Sequence, residues 1–396
     1  MMRHVRLAPA LLSLAFACGD EATVFDRAPR LELTCSVSQP VTFPSTLDGR
    51  WWFTDVATTE AGSWGVCDVW SAEGNGALFP LDRHGGRGEP VVLDPNGLPT
   101  RTRSIAPSGR RLSVLFDVVV GGIERRFVVL DEAGALTHPS VVVPDGRLVA
   151  LSDGTFALVS VEPTANPDHP DLVVRVLDDA GTIVGGPETV ASLALPPGAE
   201  AHPFNLDRVV VASAPDGFAV VWIDAGEDRH LLVAEPDGDI VLGPKRPGGE
   251  TVLALPGATW VAWATTAPDT VHVAVYDDEG GRTQSTVAVA DDFAGSPRLF
   301  AVDGTAVLAW SQGPNRPEVC GGCFDTHALH LAALTCDGSG HIVPASNHVV
   351  IATQSGALSL DGVARFGDDL LLAMTSTGHA LWEAAVAAVT CAPLED

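Results

Sequence analysis

Cys320-Gly-Gly-Cys323 is followed by His327 and His330. Two thiols and two imidazoles at this spacing form the donor set of a tetrahedral zinc centre. Two arguments favour another chemistry. His327 and His330 stand three residues apart, so on an extended strand they point to opposite faces. An exported chain, for which the N-terminus argues below, also meets an oxidising compartment that converts thiols to disulfides. The expectation is a loop disulfide involving Cys320, Cys323 or Cys336, and no metal. A thioredoxin-like redox role would need a βαβ context, which the sequence lacks.

Glu235-Pro-Asp237-Gly-Asp239 and Asp277-Asp278-Glu279-Gly280 gather hard oxygen donors that suit calcium. Neither supplies the ligand ladder or the distant Glu of an EF-hand loop. Asp and Gly are also what bulged hairpin turns need for positive φ, so turn chemistry is the expected role, with calcium the remaining option and no cofactor otherwise. Trp222, Trp263 and Trp310 recur at one place in successive repeats. Aromatic rings there suit half-buried strands, so they are expected to fill the space between sheets. Trp51, Trp52, Trp64 and Trp70 cluster in the first repeat and form the candidate exposed patch for a glycan or protein. The sequence contains no G-x-S-x-G, H-E-x-x-H, Walker or Rossmann glycine signature, and no S-x-D-x-G-x-x-W turn. Paired carboxylates for polysaccharide cleavage stay open, because acids are too numerous to single out a pair.

These residues sit on a repeating element. A short apolar strand, a tight turn ending in Gly, and a second apolar strand often ending in Trp recur, most clearly around Gly217, Gly257 and Gly304, and more weakly around Gly49, Gly109, Gly154 and Gly367. A third strand and an Asp-rich turn follow, as in Arg126–Gly134, Asp171–Gly181 and Val271–Gly280. The seven turns average 53 residues apart, a period that fits one four-stranded propeller blade. Runs such as Phe218–Ile223 are apolar without alternation, so each sheet must be covered on both faces. Stacking around an axis does this and leaves only short edges.

The expected fold is therefore all-β: a single propeller domain over 31–396 with seven four-stranded blades. Six or eight remain possible, since turns near Gly74 and Gly97 compete in the first repeat. The last repeat ends short of a full blade, and Leu31–Val37 is the natural donor of its outer strand. That pairing would bring Cys35 near Cys391 and allow a ring-closing disulfide.

Arg3 and Arg6 precede an apolar run from Leu7 to Ala17 that ends Ala15-Phe16-Ala17 before Cys18. Residues 1–17 read as a signal peptide, too short to span a membrane. The segment resembles that of the bacterial lipoprotein family, in which the Cys after the cleavage site is diacylated; the family usually has Leu where this chain has Ala15. The resemblance implies a lipid on Cys18, with 18–30 as tether. Removing Cys18 from the seven cysteines leaves six, Cys35, Cys67, Cys320, Cys323, Cys336 and Cys391, an even number suited to disulfides. The net charge is −27, and loss of Arg3 and Arg6 with the leader, which holds no acid, takes it to −29. Nucleic acid and anionic head groups would be repelled, leaving the lipid as the only membrane contact.

Residues 31–396 thus look like the exported or lipidated bacterial β-propeller proteins, although no repeat carries the WD40, kelch or quinoprotein signature. The resemblance is architectural and carries no catalytic residue across; a rigid scaffold with variable loops and no recognisable chemistry leads to the expectation of a monomeric, membrane-anchored propeller of the cell envelope, outer membrane or cell surface, that binds an envelope protein or a glycan without catalysing a reaction. The alternatives are a polysaccharide hydrolase or lyase using carboxylates at the channel mouth, and a purely structural envelope component.

Overall fold

Strands that are apolar on both faces need two partners, and the structure supplies them around a ring. The computed structural model describes residues 33–38, 41–42, 50–70, 77–119, 122–166 and 169–193, and between 209 and 393 the strands with a few of their turns. The described strands fall into seven antiparallel sheets, named here blades 1 to 7 in chain order. Blade 1 comprises Arg50–Thr59, Gly62–Trp70 and Ala77–Leu81; blade 2 Thr100–Ser108, Arg111–Val119, Ile123–Leu130 and Val141–Val142; blade 3 Arg147–Ala150, Phe156–Glu162, Asp171–Leu177 and Ile183–Ser192. Blade 4 comprises Val209–Ala214, Gly217–Ile223, Asp228–Val233 and Ile240–Pro244, and blade 5 Glu250–Leu255, Ala258–Thr266, Asp269–Tyr276 and Arg282–Thr286. In blade 6, Phe293–Val302, Thr305–Gly313 and Ala328–Cys336 are followed by two short strands, Ile342–Pro344 and His348–Ala352, that both pair with the third. Blade 7 holds Ala357–Phe366, Asp369–Thr377 and Trp382–Pro393.

The first strand of each blade is innermost. Each inner strand touches the inner strands of the blades before and after it, and that of blade 7 touches that of blade 1. The fold is a closed β-propeller. Its core is seven hydrophobic wedges, one between each pair of neighbours, the seventh joining blade 7 to blade 1. Alternation within one strand feeds two wedges: Leu370, Leu372 and Met374 pack towards blade 6, Leu371 and Ala373 towards blade 1. Each buried Leu or Val contributes about 1.5–3 kcal/mol, and only a closed ring collects this from both faces of every blade.

The N-terminal strand Leu33–Val37 completes blade 7 by pairing with Trp382–Pro393, in a register that sets Cys35 opposite Cys391. Val41–Thr42 pairs further along the same strand. The donor expected from the short last repeat is thus in place. Two details depart from the sequence reading. Blade 1 has three described strands, and its first hairpin turns at Glu60–Ala61 and not at Gly49, which lies outside the described residues. No glycine is needed at that turn, because the Thr59 hydroxyl accepts from the N–H groups of Ala61 and Gly62 and donates to the Gly62 carbonyl. Of the competing turns, Gly74 falls between the second and third strands of blade 1, whereas Gly97 belongs to the link into blade 2, in a turn whose Asn96 and Leu98 N–H groups bond the Asp94 carboxylate.

The Asp-rich outer turns share one design. Asp82, Asp131 and Asp178 each accept, through Oδ1, the N–H groups of the residues two and four further on, at 2.7–3.0 Å. The glycine three residues on, Gly85, Gly134 or Gly181, has φ of +82°, +82° and +79°. These carboxylates are engaged within their own turns. Asp277–Gly280 and Asp337–Gly340 repeat the spacing. The two segments weighed for calcium, 235–239 and 277–280, lie outside the described residues.

Candidate functional site

The ring axis is lined by inner strands, and charged side chains break their apolar run at matching places. Asp55 in blade 1, Arg103 in blade 2, Arg147 in blade 3, Arg298 in blade 6 and Asp361 in blade 7 each stand six or seven residues before the residue that closes the first hairpin. The ladders are irregular at the same level. Register shifts fall between Phe53 and Asp55, Thr102 and Ser104, Gly295 and Arg298, and Leu360 and Gly362, so Arg103 and Asp361 are themselves bulge residues. A bulge re-aims a side chain that regular pleating would send into a wedge.

Electrostatic influence links four of these groups, Asp55, Arg147, Arg298 and Asp361, from one inner strand to another. Asp55 is influenced by Arg147 of blade 3 and by Arg298 of blade 6, and in each direction a whole blade intervenes. Charges two blades apart meet only across the channel. Burial raises the Asp55 carboxyl from 3.8 to about 6 against the opposing pull of Arg147, the Val56 N–H, Arg298 and the Ile105 N–H. Its surface is nonetheless partly open, as befits a channel wall enclosed by protein. Burial likewise lowers the Arg298 guanidinium, opposed by Asp361 and Asp55.

Arg298 ties blade 6 to blade 7. Its Nε and Nη2 donate to the Asp361 carbonyl at 3.2 and 3.1 Å, and Nη1 donates to the Pro297 carbonyl at 3.1 Å. The bulge removes Asp361 from the ladder, and the guanidinium fork takes up its carbonyl. The Asp361 carboxylate accepts from the Thr375 hydroxyl at 2.5 Å. Similar bonds join other neighbours: Leu148 N–H donates to the Ser104 hydroxyl and Leu299 N–H to the Thr251 hydroxyl, both at 3.3 Å. On the blade 2 side, Asp117, with its side chain 2% exposed, accepts Arg103 Nε at 2.6 Å and Arg125 Nε, while Arg125 Nη1 also pairs with Asp145. Burial lowers the Arg125 guanidinium, and Asp117 opposes the shift.

The result is a collar in which Arg103 and Arg147 stand on blades 2 and 3, Arg298 on blade 6, and the two acids, Asp361 and Asp55, on blades 7 and 1 between Arg298 and the arginine pair. It can grip a polar ligand that carries a carboxylate beside hydrogen-bonding groups, and it holds a carboxyl, Asp55, that changes protonation near neutral pH. Among the described residues no cluster of His, Cys, Asp and Glu is arranged to hold a metal ion.

The residues singled out from the sequence lie elsewhere. Trp222, Trp263 and Trp310 are 1–5% exposed and fill wedges, as expected. Trp263 and Trp310 stack on their cross-strand partners His272 and His330, with ring centroids 5.3 and 5.2 Å apart. His330 is thus placed against Trp310, while Cys320, Cys323 and His327 lie outside the described residues. The exposed-patch reading of Trp64 is corrected: it is 4% exposed in the wedge between blades 1 and 2, where Gly134 packs on its ring. Trp51, Trp52 and Trp70 have backbone positions in blade 1, and their side chains lie outside the described parts of the chain. Cys67 is buried in the wedge between blades 7 and 1. Cys18 lies outside the described residues. The collar escaped the sequence reading, although one signal was available: a charge six or seven residues before the close of the first hairpin in five of the seven repeats.

Neither a protein-family profile nor a curated protein matches the chain. Among solved structures, the chain is similar to YCF48 bound to D1 peptide, with 12% identity, 89% of this chain and 95% of that chain covered, and a TM-score of 0.48. It is also similar to the β-propeller domain of the Trilobed protease from Pyrococcus furiosus, with 11% identity, coverages of 85% and 95%, and a TM-score of 0.47. A prolyl endopeptidase matches at 15% identity over 92% of this chain with a TM-score of 0.44; the chain spans about half, 51%, of that protein.

Proposed function

We propose that this protein is an exported binding propeller, held at the cell envelope by a lipid on Cys18, whose axial collar captures a carboxylate-bearing ligand. The observation that carries the reading is the mutual electrostatic influence of Asp55, Arg147, Arg298 and Asp361, drawn from the inner strands of four blades, with backbone irregularities beside Asp55, Arg298 and Asp361. A propeller needs no such charges for stability, since seven apolar wedges already close it. Desolvated charge kept in a cavity is what a recognition site requires and a core avoids. The lipid would fix the disc at a membrane while the strongly acidic surface keeps it from head groups and nucleic acid. The chemistry fits an acidic glycan or a peptide segment of an envelope protein.

The test is a binding screen of acidic oligosaccharides and of peptides with free carboxylates, read by calorimetry on the mature protein. A ligand retained by the native protein should bind at least about tenfold more weakly to Arg147→Gln, the cost expected for a charge-assisted hydrogen bond, with the melting temperature unchanged. Ligands that all ignore Arg147→Gln and Asp55→Asn would refute a channel site.

A second reading rests on Asp55 alone. A carboxyl raised to about 6 can act as a general acid, so cleavage of a polysaccharide remains the competing activity. Turnover on a glycan panel that disappears in Asp55→Asn would favour it.

A further inference from the structure

The strand that completes the ring enters from the N-terminus, and its register carries chemistry. Leu33–Val37 runs antiparallel to the end of Trp382–Pro393, and its central residue, Cys35, is the direct partner of Cys391. Directly opposed residues of an antiparallel pair have Cα atoms about 4.5–5.5 Å apart, inside the roughly 4.4–6.8 Å that a disulfide spans. A slip of one residue in either direction would put each cysteine opposite Thr or Ser or Ala, so the coincidence depends on the observed register. We propose that Cys35 and Cys391 form a disulfide that locks the propeller ring shut.

Several features make this the place for a covalent latch. The two cysteines lie near opposite ends of the sequence, so one bond closes nearly the whole chain into a loop and removes a large share of the unfolded chain's freedom. The N-terminal strand is the outermost of blade 7 and has one ladder neighbour, Trp382–Pro393. It has only five residues, and an edge strand of that length frays easily. If Cys18 carries the lipid, as proposed above, any pull between membrane and domain enters at Leu33 and loads this ladder. An unlatched strand would peel, and blade 7 would lose its outer cover.

The bond forms by thiol–disulfide exchange with an envelope oxidase that carries a reactive disulfide. The thiolate of Cys35 or Cys391 attacks that disulfide and forms a mixed disulfide; the second thiolate displaces the oxidase. The Cys35–Cys391 S–S bond appears, the oxidase leaves as a dithiol, two electrons pass to it, and the two thiol protons are lost to solvent and balanced by those taken up by the oxidase thiols.

Peptide mapping by mass spectrometry under non-reducing conditions, on mature protein exported to an oxidising compartment, tests the proposal. A linked peptide containing both Cys35 and Cys391 is expected; either residue recovered as a blocked free thiol, or bridged to Cys67, Cys320, Cys323 or Cys336, overturns it. Thermal unfolding supplies a second readout. Cys35→Ala, Cys391→Ala and the double variant should fall by the same amount, about 3–5 °C for a bond of ordinary strength in a chain of this size, and protease should then cut near residues 31–37. Additive losses from the two single variants would show two independent packing defects and would refute a bond between them.

Discussion

Replacing Asp55 by Asn should make the protein more stable at neutral pH and leave it unchanged in acid. The carboxyl is raised from 3.8 to about 6, chiefly by burial. A folded-state value above the unfolded one means that the native protein holds this proton more tightly. Ionising Asp55 therefore costs stability. The cost is absent below pH 4, where Asp55 is protonated in both states, grows between pH 4 and 6, and is complete above pH 6. A rise of this size corresponds to about 3 kcal/mol, and the partial solvent access of the side chain reduces this to about 1–2 kcal/mol. Urea unfolding of the native protein and Asp55→Asn at pH 4, 5, 6 and 7.5 measures it. The Asn variant should gain about 1–2 kcal/mol at pH 7.5, and the two curves should converge at pH 4. An Asn variant that is less stable at pH 7.5, or a gap independent of pH, would mean that Arg147 and Arg298 outweigh the burial penalty. The argument that this carboxylate is kept at a stability cost for binding would then fail.

Other substitutions probe the ring and the proposed lipid anchor. Trp310→Ala empties a site 1% exposed between blades 5 and 6 and should cost about 3–5 kcal/mol in urea unfolding. At Gly362, a Cβ would stand 2.6 Å from the Val56 side chain and 3.2 Å from its backbone nitrogen, so Gly362→Val should cost about 1–3 kcal/mol at the seam between blades 7 and 1. Asp117→Ala removes the carboxylate shared by Arg103 and Arg125, leaving Arg125 its pair with Asp145, and should lose about 3 kcal/mol, whereas the same change at Asp131, in an exposed turn, should lose about 1 kcal/mol. Mature protein from cells fed a labelled fatty acid should carry the label, and Cys18→Ser should not.

The architecture was legible because burial on both faces leaves a coarse mark on composition. Apolar runs such as Phe218–Ile223 and Leu370–Met374 cannot alternate with polar residues if each face meets a neighbour, and the observed wedges divide their side chains between two blades. Closure was legible from the missing outer strand of the last repeat. The turn of blade 1 was not, because Thr59 does there with a hydroxyl what glycine does elsewhere with its backbone. Trp64 was misread for a related reason. Four tryptophans close in sequence look like a patch, yet both faces of blade 1 are wedges, and Trp64 points into the one shared with blade 2. The collar was hidden because a single Asp or Arg in an apolar strand carries no local signal. Its meaning lies in the bulge beside it and in charges two blades away, and neither is a property of one segment.

The claim that the channel is the binding site is tested most directly by a crystal structure of the mature protein with a ligand from the carboxylate screen. The ligand should lie on the ring axis with its carboxylate against the Arg147 or Arg298 guanidinium and with Asp55 within hydrogen-bonding reach. A ligand seated on the outer edge of blade 1 or over the hairpin turns, with the channel untouched, would contradict it.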